Sequence, residues 1–352
     1  MVNNINVFFD FGGAGRYHYA ALRRGGRFFE QTHREFHGMG AAKTLDALRR
    51  EIDRIDNQIH DLIQERTRIV ERVREVKEGE PVKIRPARED EILYRLVARH
   101  SGNFPKRELT RIWRELIVAT LSFEGPFSVS VFGDEAESGY RDLARDMYGT
   151  YTPTTVYPSA RRVIEAVRKR TATVGVLPLP RRDDEAPWWP LLMGRGRTVP
   201  KVMARLPVAG PGNGRGQHLE ALAICPVDRE PTGRDRSLIA FETEDEPGLR
   251  KISAALNKTG LSSKFATVWQ EPESGGGHSC YLIELEGYVL ENDPSVTRFI
   301  EALGASVNRV VCLGHYGIPF GPEELAPSPE KKRKPRRTAG GKPQDSKKKD
   351  PS

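Results

Sequence analysis

Between Leu45 and Val76, aliphatic residues recur at alternating steps of three and four: Leu45, Leu48, Ile52, Ile55, Ile59, Leu62, then Ile69, Val73 and Val76. That spacing returns every member to one face of an α-helix, and a stripe this long belongs to a helix seated against other helices. Thr44 offers an N-cap oxygen just ahead of it, so the helix is expected to start there. One place in the series is broken, because the step after Leu62 lands on Arg66. Arginine is always charged in proteins, and leaving it buried without a partner costs several kcal/mol. Either an acid of a neighbouring helix pairs with Arg66, or its guanidinium faces an anionic ligand inside a helical bundle. Lys77 follows on the same face, about 16 Å further along. Arg49 precedes Arg66 by about 25 Å, too far to serve the same small-molecule site from one chain. In a two-fold dimer of antiparallel long helices, Arg49 could reach the partner's site.

The length of 352 residues suggests two or three domains, at roughly 100–200 residues each. Hydrophobic residues at 38% and charged residues at 30% suit a soluble chain with modest cores. No apolar run approaches the roughly 18 residues of a membrane span. Cys225, Cys280 and Cys312 are odd in number and far apart, with no C-x-x-C and no Cys/His ligand spacing. Reduced cytoplasmic thiols, no metal and no cofactor are expected. The net charge of +8 comes mostly from one end, since the stretch from Ala326 to Ser352 holds ten Lys or Arg and three acids. Such a Pro-, Lys- and Ser-rich tail cannot bury a core, and it reads as a disordered solubilising segment rather than a nucleic-acid arm.

Residues 1–38 form an irregular N-terminal extension, rich in Phe, Gly and Arg and without periodicity. A misassigned start, with Met39 as the true one, would explain it. Residues 39–125 hold three helices, residues 126–207 alternate strands and helices, and residues 208–234 have the composition of a linker. Residues 235–318 return to alternation, and 319–352 are the tail. Neither Gly12-Gly13-Ala14-Gly15 nor the glycine run from Gly212 to Gly216 lies between a strand and a helix of a βαβ unit, so neither reads as a phosphate loop.

Leu48-Arg49-Arg50-Glu51-Ile52, Asp56, Glu65-Arg66, Lys77, Pro86-Ala87-Arg88-Glu89, Ile92-Leu93, Ile112-Trp113-Arg114-Glu115-Leu116-Ile117, Thr120 and Glu124 together resemble the all-helical chorismate mutases. The resemblance implies a three-helix domain in an intertwined homodimer, with chorismate as substrate and prephenate as product. Arg66 and the partner's Arg49 would hold the two carboxylates, supported by Arg88. Lys77 would donate to the ether oxygen, Glu89 would accept the ring hydroxyl, Thr120 takes a position that is often Ser, and Glu124 would face the ether oxygen from the other side. A [3,3] rearrangement needs no nucleophile or metal; it needs a held chair-like conformer and donors placed where charge develops. Arg85 stands where some members are acidic, and Glu124 where some have Gln; an ionised Glu124 would repel the developing oxyanion. Isochorismate–pyruvate lyases of the same fold use nearly the same cations and remain an alternative.

The segments Val129-Ser130-Val131-Phe132-Gly133, Ser159–Val167 and Val174-Gly175-Val176-Leu177-Pro178 resemble, in order, the first lobe of prephenate dehydratase. The Thr-Arg-Phe signature of that family is replaced by Glu220-Ala221-Leu222, which implies a degenerate lobe. Residues 235–318 read as βαββαβ, and Glu246-Pro247-Gly248-Leu249 at the first strand–helix turn makes them similar to an ACT domain, a ferredoxin-like α+β module. The resemblance implies an amino-acid effector at that turn. Ala266-Thr267-Val268-Trp269 stands where relatives carry a second effector motif, so a purely structural dimerisation module is the other reading. A bifunctional mutase–dehydratase and a non-catalytic regulatory protein complete the alternatives.

Overall fold

The computed structural model describes residues 29–76, 84–121, 125–133, 139–211, 218–270, 278–304 and 306–327, with only the backbone described for residues 29–43. Lys77, Glu124, both glycine clusters and most of the N-terminal extension and the basic tail lie outside the described residues. The chain divides into two compact units, Met1–Ile69 and Val70–Ser352.

The described part of the first unit is helical and belongs to α1 (Phe29–Val76). The helix does not start at the Thr44 cap. No proline stands between Phe29 and Thr44 to remove a backbone donor, and Gly38 and Gly40 each cost about 1 kcal/mol relative to alanine without breaking a helix. Every aliphatic residue of the stripe is exposed in the single chain, Leu62 at 63%.

In the second unit, α2 (Pro86–Arg99) starts with proline at a position where the missing N–H costs nothing. It packs on α3 (Lys106–Leu121). An α/β segment follows: β1 (Val129–Phe132), α4 (Gly139–Tyr148), β2 (Thr154–Tyr157), α5 (Ala160–Arg168), β3 (Val174–Pro178), β4 (Lys201–Leu206) and β5 (Ala221–Cys225). Ser159 caps α5 by accepting from the Arg162 N–H. The last part is β6 (Asp235–Thr243), α6 (Leu249–Lys258), β7 (Ser263–Gln270), β8 (Ser279–Glu286), α7 (Pro294–Leu303) and β9 (Val307–Gly317). This is the βαββαβ order that the alternation predicts. Asp293 caps α7, and Gly304 ends it in the left-handed conformation.

The nine strands among the described residues form one sheet in the order β2-β1-β3-β5-β4-β9-β6-β8-β7. Strands β1, β2 and β3 are parallel, and the β9-β6-β8-β7 part is antiparallel. Alternate residues of β6 and β8 serve opposite faces. Ile239, Phe241, Tyr281 and Ile283 join α6 and α7 in one core. Leu238, Ala240 and Leu282 lie in another, under Trp188, Trp189, Leu192 and Met193.

Besides the start of α1, which runs back into the segment read as an irregular extension, two further boundaries differ from the sequence reading. The segment read as a linker contains β5, an entirely buried strand between β3 and β4. A run of five small or medium apolar residues is enough for a strand with both faces covered, whatever the composition beside it. The segment read as the start of the tail is also ordered: Phe320 is buried, and α8 (Pro322–Leu325) carries Glu324, which is ion-paired with Arg234.

The two parts of the sheet meet where β4 runs parallel to β9, with Val202 paired to Gly314. Gly314 has φ +131°, and a Cβ there would lie 2.2 Å from the Val202 carbonyl oxygen. Both conditions exclude a side chain. Gly314→Ala is therefore expected to destabilise the second unit by about 3 kcal/mol or more. Equilibrium denaturation of the purified variant measures it, and a change under about 1 kcal/mol would contradict this account of the junction.

Candidate active site

Arg49 and Arg66 lie on α1. Arg49 is exposed and donates to Asp46 at 3.4 Å, one turn away. Arg66 is half-buried, and burial holds its guanidinium below the ordinary arginine range. Arg88 and Glu89 are neighbours at the start of α2, where successive side chains diverge by about 100°. Arg88 is exposed and donates to Glu91 at 3.0 Å. Glu89 turns inward, is 6% exposed, and accepts from Arg114 Nη1 at 2.6 Å. Thr120 is buried near the end of α3 and donates to the Ile117 carbonyl at 2.7 Å. At the proposed effector turn, Glu246 accepts from Gln270 at 2.6 Å, the Pro247 carbonyl accepts from Tyr281 at 3.0 Å, and Gly248 precedes Leu249 at the start of α6.

Sequence reasoning missed the charges that fix Glu89. Arg114 is 3% exposed. Besides Glu89, it donates from Nε to the Met147 carbonyl at 2.9 Å, which ties α2, α3 and α4 together. Arg229 forms a second buried group, 2.8 Å from Asp90 and 3.3 Å from Asp235, and donates to the Met203 carbonyl. Burial pushes the Asp90 carboxyl up to about 6, against the pull of Arg229 and Arg114. Gly317 allows this approach, since a Cβ there would lie 2.4 Å from Asp90 Oδ2. Arg114 was legible in part, because it lies on the same helical face as Thr110 and Ile117. Arg229 carried no signal, because only Asp235 is near it in sequence and its other partners, Asp90 and the Met203 carbonyl, come from distant segments.

A further cluster has the residue types of a nucleophilic site but not its chemistry. His315 Nδ1 lies 2.9 Å from Ser237 Oγ, and Nε2 lies 3.4 Å from Cys312 Sγ. All three are buried. Burial lowers the imidazole to about 4 and raises the Cys312 thiol to about 11. The result is a neutral packed group with no activated nucleophile. Among the described residues, no group of three His, Cys, Asp or Glu could hold a metal ion.

Residues 48–125 match the family model of chorismate mutase type II. That segment is a chorismate mutase type II domain. The chain is also similar to the bifunctional chorismate mutase/prephenate dehydratase of Aquifex aeolicus, at 34% identity over 140 residues, covering 38% of this chain and 38% of that protein. The corresponding protein of Pseudomonas aeruginosa is 31% identical over 141 residues, again covering 38% of each. The match thus spans well under half the length of these curated relatives. A solved prephenate dehydratase from Streptococcus mutans has a TM-score of 0.39 and 14% identity, covering 55% of this chain and 98% of that one. No helix among the described residues is long and apolar enough to cross a membrane.

Replacing Arg114 by methionine leaves the buried Glu89 without its ion-pair partner, so Arg114→Met is expected to cost about 3–5 kcal/mol, with part regained in Arg114→Met/Glu89→Leu. Chemical denaturation of the three proteins checks this; a double variant no more stable than the single one would contradict the pairing. Asp90 gives a pH test. Its folded value, about 6, lies above the ordinary 3.8. Its contribution is therefore fully present below pH 3.8 and is lost as pH rises through 6. The stability of the wild type relative to Asp90→Asn should rise by up to ~3 kcal/mol as pH falls from about 6 to 4. A difference that stays constant over that interval would contradict the assignment.

Proposed function

We propose that this chain is a chorismate mutase, rearranging chorismate to prephenate in a homodimer whose sites are shared between subunits. The observation that carries the reading is the family match over 48–125, with Arg49, Arg66, Lys77, Arg88 and Glu89 all present within it. The exposed stripe of α1 supports the dimer, because a long apolar face with one arginine set into it is what an intertwined partner would cover.

In this reading Arg66 and the partner's Arg49 clamp the carboxylates, with Arg88 in support. Desolvation is part of the work: guanidiniums held out of bulk water bind carboxylates more tightly. Lys77 and a protonated Glu124 donate to the ether oxygen as the C–O bond breaks. Glu89 accepts from the ring hydroxyl, and Thr120 completes the wall. Arg114 would act as a positioning residue, holding the Glu89 carboxylate in one orientation. The α/β segment is proposed to be a dehydratase-like lobe without dehydratase activity. At the position of the family signature, Ala221 offers no hydroxyl, and the Glu220 carboxylate is bound by Arg205. The last part is proposed to be an ACT-like module, with an amino acid as its ligand at Glu246–Leu249 or with a structural role alone.

Arg66→Ala should lose detectable turnover while remaining helical, since removing one partner of a buried charged contact costs roughly 2–5 kcal/mol. Refolding that variant together with inactive Arg49→Ala chains should restore activity, because one site of each heterodimer then has both arginines; mixtures as dead as each parent would contradict shared sites. Activity should fall as pH rises through the titration of Glu124, and Glu124→Gln should flatten that decline. A pH–rate profile between about pH 5 and 9 measures both, and a wild-type profile without decline would remove Glu124 as the proton-bearing donor.

A further inference from the structure

A cavity of about 360 Å³ opens over the junction of the two parts of the sheet. Its floor is set by register. Arg205 on β4 stands opposite Leu222 on β5, and Tyr316 on β9 opposite Arg236 on β6. Glu284 on β8 is flanked by Leu238 on β6 and Phe265 on β7. Residues paired directly across strands project from the same face. Leu179 and Pro180, after the end of β3, line the cavity as well.

The residues that line this cavity carry more cations than carboxylates, although Arg205 and Lys264 each also pair with a carboxylate outside the lining. Two guanidiniums share one lining carboxylate: Glu284 lies 3.3 Å from Arg236 and 3.9 Å from Arg205. Tyr316 uses up more of that carboxylate, donating to Glu284 at 2.6 Å while accepting from Arg205 at 3.3 Å. Glu220 binds Arg205 but does not line the cavity, and Lys264 at the rim pairs with Glu286. The side chains of Arg205, Arg236 and Glu284 are 24%, 17% and 13% exposed, partly desolvated yet reachable. Leu238 and Phe265 form an apolar wall on one side of the guanidiniums, and Leu222 stands beyond Arg205 on the other. Apolar lining with a few convergent polar groups is the usual make-up of a small-molecule site, and arginines favour planar carboxylates.

We propose that this cavity binds a small organic carboxylate with an apolar body. The carboxylate takes Arg236 and Arg205, and the body lies against Phe265 and Leu238, on the strands either side of Glu284. The site shares no residue with the proposed mutase site or with the Glu246–Leu249 turn. Because its walls come from both parts of the sheet, the ligand bridges the β4–β9 junction and holds the two together.

Isothermal titration of the full chain with phenylacetate, and with uncharged 2-phenylethanol, tests this. Phenylacetate should bind saturably at one per chain, and 2-phenylethanol should not. Arg236→Gln should weaken binding about tenfold or more, equivalent to the loss of one charged contact. Phe265→Trp, which fills the apolar end, should weaken it as well and carries the test if Arg236→Gln fails to fold. Arg66→Ala should bind as the wild type does, which separates this site from the proposed mutase site. Absence of saturable phenylacetate binding, wild-type affinity in the folded cavity variants, or loss of binding in Arg66→Ala would overturn the proposal.

Discussion

Two arginines that cannot lose their charge are buried where α2 and α3 meet the sheet, and their pairing constrains much of the second unit. Arg114 must keep Glu89, and Arg229 must keep Asp90 and Asp235, because each guanidinium is almost fully removed from water. These bonds join segments far apart in the chain: α2 to α3, α3 to the end of α4, and α2 to the segment before β6. An apolar interface tolerates sliding, whereas a charged pair in a dry site accepts one register. The same layer explains why β9 carries glycine at 317, where Asp90 and Arg229 come against the backbone.

The layer also bears on the proposed chemistry. Glu89 is both a structural partner of Arg114 and the residue assigned to the substrate hydroxyl. A carboxylate bonded to a fixed guanidinium keeps its orientation, which suits an acceptor. Helices α2 and α3 are thereby linked to the α/β segment through a residue of the proposed site. The long helix α1 poses a different constraint. Its exposed aliphatic stripe is a face that water disfavours, and Arg49 and Arg66 lie on the same helix, so covering that face and assembling an anion site would be one event.

Regular, locally coded elements were legible from sequence. The bounds of α6 and α7 follow from their apolar period and from the glycine and aspartate that start them. The stripe of α1 was legible for the same reason, but its start was not, because a favourable cap at Thr44 does not oblige a helix to begin there. Strand β5 was hidden beside a glycine-rich run, and its place in the sheet, inserted between β4 and β3, depends on pairing with β3, which is distant in sequence. Site residues divide in the same way. Arg49, Arg66, Arg88 and Glu89 stood out through their joint pattern, whereas the roles of Arg114, Asp90, Arg229 and Asp235 emerge only once the fold brings them together. The cavity over the β4–β9 junction draws on residues of several strands, and no local pattern announces it.

Arginines and a lysine without an activated nucleophile suit a rearrangement governed by positioning and by charge on one oxygen, and nearly the same cations would serve a lyase acting on isochorismate. The two substrates distinguish these chemistries, and the replaced dehydratase signature concerns a later step on prephenate. The most direct measurement is product analysis of the purified full chain given chorismate and, separately, isochorismate. The account predicts prephenate from chorismate, no phenylpyruvate on longer incubation, and no comparable release of pyruvate from isochorismate. Failure to form prephenate, or faster pyruvate release from isochorismate, would contradict it.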